Sequence, residues 1–223
     1  MRHGVRVSTA TTAPADTARA RPDPPASYPP LARLLDPGVP EVGLLVHPRD
    51  VGGAAAFQTL QHEGALVRLW GEVATTSAVP VTSTLRALAV RDLVPRRTVL
   101  GGLGAAWVLA GTRAPSSLDV LYPPGMHRPP PVSGRAPRQA TVLADETVLV
   151  AGVQVTGVQR TAIDIASRVR RDAALPALRG LRRTCRLDVG LALRTLELRY
   201  RWQGRDAARG VLTRLLAEGT ESV

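Results

Sequence analysis

Few side chains in this sequence could do chemistry, and their spacing decides how far each goes. His3, His47, His62 and His127 are scattered, and none stands in an HExxH-like arrangement that would put two imidazoles on one helix face. Asp119 and His127 could serve as acid and base. Pro123 and Pro124 lie between them, however, and no nucleophile stands beside either. Gly101-Gly102-Leu103-Gly104 opens an apolar segment as a dinucleotide fingerprint would, yet Trp107 occupies the place of its third small residue. The run reads as a tight loop entering a helix. Arg160 and Asp164, then Asp164 and Arg168, stand four apart, the spacing of ion pairs along an exposed helix face, worth about 0.3–0.5 kcal/mol each. A structural role at the helix start is the reading for Arg160 and Thr161.

Composition removes several enzyme classes. All 29 residues counted as Lys or Arg are Arg. Without lysine there is no Walker-type phosphate loop, no Schiff base and no Asp–Glu–Lys nuclease triad. Clustered carboxylates for two-metal phosphoryl transfer are missing as well. No catalytic residue, metal site, cofactor or small-molecule substrate is expected. Cys185 is the lone cysteine, so neither an internal disulfide nor a Cys-rich zinc site follows. Asn is absent and Ala, Arg, Gly, Pro and Val abound, as in a coding sequence rich in G and C. That bias explains Arg in place of Lys but not the net charge of +11, which favours DNA, RNA or an acidic protein surface. Simple solubility charge is the competing explanation. No segment looks like a signal peptide or a membrane span, so a cytoplasmic protein is expected.

The elements follow from periodicity and turn chemistry. Residues 1–42, rich in Ala, Thr, Pro and Arg, bury too little apolar surface to order and read as a disordered tail. In 43–95, a helix over Ala54–His62 precedes a strand Leu66–Trp70. Gly71-Glu72 has the Gly-first signature of a type II′ turn, and Val73 starts the return strand. A helix from about Ser83 to Asp92 follows, capped by Thr82 or Ser83. This helix–hairpin–helix order is the tail end of a winged helix-turn-helix. In 96–170 the pattern predicts a helix ending at Gly111, then strand Leu118–Tyr122 with Leu118, Val120 and Tyr122 on one face. Strands near Gln139–Leu143, Thr147–Val150 and Val153–Val155 come next, then a helix whose capping box pairs Thr156 with Gln159. Residues 171–223 read as basic helices with two apolar stripes, Val189-Leu193-Leu196-Tyr200 and Ala208-Val211-Leu212-Leu215. The expected fold is therefore α+β: a degenerate winged helix, a small mixed sheet with helices, and a helical C-terminal region. Arg179, Arg182, Arg183 and Arg186 form its most concentrated basic surface, suited to bidentate phosphate contacts or simply to solvation. No aromatic residues interleave them, so stacking on single-stranded bases is not expected.

Four stretches come in the order of a known family. They are Ala65–Val73, Gly104–Gly111, Leu118–Pro124 and Val155–Ala166. Together they resemble the actinobacterial antitoxins of the AbiEi type, the repressor half of type IV (abortive-infection) toxin–antitoxin pairs, over roughly residues 44–217. The resemblance implies a winged-helix DNA-binding domain followed by an α/β antitoxin domain, in a non-enzymatic protein that represses its own operon and counters a nucleotidyltransferase toxin. By position, Phe57, Gln58, Gln61 and His62 would lie on the recognition helix, with Arg68 and Glu72 in the wing. Arg160, Thr161 and Asp164 would be the helix motif of the second domain. Two departures mark the winged helix as degenerate. The segment before Ala54 is broken by Pro48, Gly52 and Gly53, and the recognition helix carries no Arg. Two rival readings stand beside the antitoxin: an orphan interaction protein that keeps only the fold, and a nuclease-related protein without a catalytic domain.

Overall fold

The computed structural model describes residues 43–220 except Pro131 and Tyr200. The expected tail over 1–42 and the Tyr200 end of one apolar stripe lie outside the described residues. The first described segment packs a short helix against a two-stranded hairpin. Val46 bridges antiparallel to Ala74 through two backbone hydrogen bonds of 2.8 and 2.9 Å. A 3-10 turn over Pro48–Val51 then leads into helix α1, Ala54–His62. Pro48 suits that turn because its missing N–H would have no partner there, and the Asp50 carboxylate accepts the His47 backbone N–H at 2.8 Å. Strands β1 (Leu66–Trp70) and β2 (Val73–Thr76) pair antiparallel across Gly71, whose φ of +50° fits the Gly-first turn. Phe57, Val46, Leu66 and Ala74 bury against one another, with Val51 and Leu60 at the edge. Helix α2, Ser83–Val90, is capped by Thr82, whose Oγ1 accepts the Leu85 N–H at 3.3 Å. It is shorter than expected: the last turn tightens to a 3-10 segment over Arg91–Leu93.

A mixed five-stranded sheet follows. Its strands are β3 (Val99–Gly101), β4 (Leu118–Tyr122), β5 (Arg135–Gln139), β6 (Thr147–Val150) and β7 (Val153–Thr156), in the spatial order β5-β4-β3-β7-β6. β3 pairs antiparallel with β4 and parallel with β7, so Leu100 sits between Val120 and Val155. Two expectations are corrected here. The strand expected over Gln139–Leu143 lies earlier, at Arg135–Gln139, as an edge strand that tolerates Pro137 because one side needs no ladder donor. β4 takes the expected span, with Leu118, Val120 and Tyr122 on one face as any strand would place them, and it is buried on the other face as well. Val120 and Leu121 are both buried, because the sheet is covered on both sides there. Thr156 is the last residue of β7 and not a helix cap; Gly157 takes the cap position of α4, Val158–Arg168.

Helix α3, Gly102–Ala110, is apolar all round and is correspondingly buried. It serves two cores. Ala105, Trp107 and Val108 meet the sheet, α2 and the β1 end, where Trp70 and Trp107 lie 5.7 Å apart between ring centroids. Ala106 faces the second core, formed with α4, α5 (Arg171–Cys185), α6 (Val189–Glu197) and α7 (Arg205–Thr220). The expected stripe Ala208, Val211, Leu212 and Leu215 is buried there in full, as are Val189 and Leu196. The structure is α+β, and the elements described after Val169 are helices, with no strand among them. One core joins the 43–95 residues to the sheet across position 95/96, and the other joins α3 and α4 to the C-terminal helices across 170/171, so the described residues pack as one unit.

Leu178 is fully buried at the centre of the helical core. Leu178→Ala should lower unfolding free energy by about 2–5 kcal/mol, since the lost transfer energy adds to the cavity left behind. Urea denaturation followed by far-ultraviolet circular dichroism measures it.

Candidate functional site

The first candidate surface is built by α1 and the β1–β2 hairpin. With Phe57 anchoring the inner face of α1, Gln58 and His62 are exposed and Gln61 is half-buried. Arg68 is exposed on β1, and its Nε donates to the Gly71 carbonyl at 2.6 Å, which holds the guanidinium at the hairpin turn. Glu72 is exposed at the same turn. The expected recognition-helix and wing residues are therefore on one small unit with its own core.

The second is a buried ion-pair network that linear spacing did not disclose. Arg160, Thr161 and Asp164 are not on a solvated helix face: the Arg160 and Asp164 side chains are 3% and 1% exposed. Arg160 Nε donates to Asp164 Oδ2 at 3.1 Å. Its Nη1 donates to Glu146 Oε2 at 2.6 Å and to the Thr141 carbonyl at 3.0 Å. Glu146 also accepts the Leu143 backbone N–H at 3.0 Å and a hydrogen bond from Arg199. Trp202 lies against both cations, 4.7 Å from the Arg160 guanidinium carbon and 5.1 Å from that of Arg199. The Trp202 indole N–H donates to Ser167 at 2.7 Å. Thr161 and Thr156 share a hydroxyl contact of 2.6 Å, tying the start of α4 to the end of β7. Arg138 Nη2 stands 3.6 Å from Asp164 Oδ1. The expected pairing of Asp164 with Arg168 is replaced by a 3.0 Å hydrogen bond from Arg168 to Gln203. Burial pushes the Asp164 carboxyl up from the usual range, and the Arg160 and Arg138 charges pull it back only in part. Burial likewise lowers Arg138.

Glu146, Arg138, Arg199 and Trp202 were not singled out in the sequence as members of a site. Glu146 is 14 residues from Arg160 and Arg199 is 53 from Glu146, so no local motif signals the network.

The C-terminal arginines divide by task. Arg179 holds Glu218 through two hydrogen bonds of 2.9 and 2.8 Å, and Arg182 donates to the Leu215 carbonyl at 3.1 Å, so both fasten α5 to α7. Arg183 and Arg186 are exposed, Arg186 ending α5 in the left-handed conformation at φ +53°. The glycine run is spent on packing: a Cβ on Gly102, at φ +54°, would lie 2.6 Å from Asp119 Oδ2. Among the described residues no hydrogen bond or ion pair joins Asp119 to His127. Nor, among them, does any group of three or more His, Cys, Asp or Glu stand together as metal ligands. No helix among them is long and apolar enough to cross a membrane.

Removing the Arg160 charge leaves the buried Asp164 carboxylate without a hydrogen-bonded cation, whereas Glu146 keeps Arg199. Arg160→Met should destabilise the fold by about 3–5 kcal/mol, with part recovered on adding Asp164→Asn. Urea midpoints of the single and double variants test this. A second expectation concerns Glu197, which accepts two hydrogen bonds from Arg209, at 2.7 and 3.1 Å, and another from Arg205. The hydrogen bonds from Arg209 and Arg205 lower its carboxyl from 4.5 to about 2. A depressed folded value favours the ionised form, so the clamp between α6 and α7 is intact above the ordinary value of 4.5 and is lost as pH falls through about 2. Carboxyl chemical shifts recorded from pH 6 downward should place the Glu197 midpoint well below those of exposed glutamates (roughly 4.3).

No family model matches this chain, and no curated protein matches it. Among solved structures, the crystal structure of the RV2827C protein from Mycobacterium tuberculosis is similar over 78% of this chain and 76% of that one, at 17% identity and a TM-score of 0.37.

Proposed function

We propose that this protein is a non-enzymatic, antitoxin-like regulator that binds operator DNA through the 43–95 unit and counters a nucleotidyltransferase toxin. The observation that carries the DNA half is the pairing of α1 with its hairpin. One small core fixes a helix showing Gln58, Gln61 and His62 next to a turn armed by Arg68. Amide side chains at a groove-facing helix read adenine edges, and an arginine at a hairpin tip suits phosphate or minor-groove contact. The net charge of +11 supports the same partner. The toxin half rests on the family resemblance of the sequence.

The exposed arginines at the end of α5 and the α1–hairpin residues make separable contributions to DNA affinity. Arg183 and Arg186 are exposed, whereas Arg179 and Arg182 already hold Glu218 and the Leu215 carbonyl. Arg183→Gln with Arg186→Gln should weaken binding to every duplex and flatten the salt dependence of log K by about 2, the loss of two phosphate contacts. Gln58→Ala with Gln61→Ala and Arg68→Ala should instead erase the preference for the protein's own promoter over random duplex. Salt titrations on both duplexes separate the two effects. Wild-type protein that binds its promoter no better than random DNA would remove the operator reading. Co-expression with an adjacent nucleotidyltransferase-like gene tests the other half: unrelieved growth arrest would leave an orphan interaction protein.

A further inference from the structure

The buried network opens onto a cavity of about 580 Å³ between the end of β5, the start of α4 and the α6–α7 connection. Small-molecule sites span about 300–1,000 Å³. Arg138, Arg160, Arg168 and Arg199 line it together with Trp202 and Gln203. Two carboxylates answer these four cations: Glu146 takes Arg160 and Arg199, and Asp164 takes Arg160 and Arg138. Four less two leaves an excess of two positive charges. Arg201 also lines the cavity, and Asp119, outside the lining, acts on Arg138. Among the described residues, Arg138 Nε and Nη2 are buried without a hydrogen-bond acceptor, and Arg168 is exposed with the neutral Gln203 as its hydrogen-bond partner. Arg160 is buried, Arg138 and Arg199 are half-buried and Arg168 is exposed, and gathering cations that are partly out of water around one cavity is costly unless something anionic offsets them.

We propose that this cavity is an oxyanion pocket that takes the phosphate group of a small phosphorylated ligand. A phosphate monoester carries about −1.5 to −2 charges at neutral pH and three acceptor oxygens, which matches the cationic excess. A carboxylate supplies only one charge. Guanidinium forks bind such oxygens in pairs. Trp202 is already packed against Arg160 and Arg199, so it steadies the cations rather than stacking on a ligand. The pocket is independent of operator binding, because neither α1 nor the β1–β2 hairpin lines it.

Isothermal titration of the full chain with AMP, inorganic phosphate and adenosine tests the proposal. AMP and phosphate should bind and adenosine should not. Tighter binding of AMP than of phosphate assigns the pocket to a phosphorylated organic ligand, and equal binding assigns it to free phosphate; either outcome upholds an oxyanion site. Arg168→Gln and Arg138→Gln should each weaken AMP binding by about tenfold, the loss of one charge-assisted hydrogen bond. Arg183→Gln should leave it unchanged. Should Arg138→Gln fail to fold, Arg168→Gln carries the test, since Arg168 is exposed with the neutral Gln203 as its hydrogen-bond partner. The proposal is overturned by any of four results: no binding of either phosphate species, equal binding of adenosine, equal losses in Arg183→Gln and Arg168→Gln, or displacement of AMP by a random duplex whose own binding falls equally in Arg168→Gln. The last would make the cavity a DNA-backbone contact.

Discussion

The Arg160 guanidinium is the constraint on which the second half of the molecule depends. A cation with almost no exposed surface is tolerable only if its donors are all answered and its charge is offset. Each partner comes from a different place: Asp164 from the same helix, Glu146 from the turn before β6, the Thr141 carbonyl from the loop after β5, and Trp202 from the α6–α7 connection. Glu146 and Trp202 then bring in Arg199. A single buried charge thus fixes the relative placement of sheet edge, helix and C-terminal connection. Such a network contributes less to net stability than its contacts suggest, because the desolvation cost is large. It does disfavour arrangements in which any one partner is missing.

Helix α3 does the corresponding work with apolar surface. Its glycines and alanines let β3, β4 and α5 approach closely: a Cβ on Gly104 would come within 2.9 Å of Leu100, and one on Gly180 of α5 within 2.6 Å of Thr112. With Trp107 turned to the sheet side and Ala106 to the helical side, α3 divides the interior into two cores while belonging to both. Close packing of this kind transmits changes in volume, so the sheet and the helical layer are mechanically continuous.

Charge is distributed by the same economy. Many C-terminal arginines are fasteners: Arg179 and Arg214 to Glu218, Arg205 and Arg209 to Glu197, Arg182 to the Leu215 carbonyl. Their positive charge still contributes to the field that draws anions, but their donors are engaged. The residues left to meet a partner are fewer than the sequence suggests, and they lie in separate places.

The sequence by itself determined the local elements. Apolar periodicity bounded α1, β1, β4 and β6 to the residue, and Gly71 with Thr82 set a turn and a cap, because each depends on neighbours within a few positions. It also determined the apolar stripe of α7 and the excess of base. Tertiary structure decided what spacing cannot encode. Pro137 became part of an edge strand because β4 offered a partner there, and Thr156 turned inward to Thr161 instead of capping a helix. Arg160 and Asp164 have the spacing of an ordinary surface pair. Only the arrival of Glu146, Arg138 and Trp202 from distant segments, closing water out, turned that pair into a buried network beside a cationic cavity.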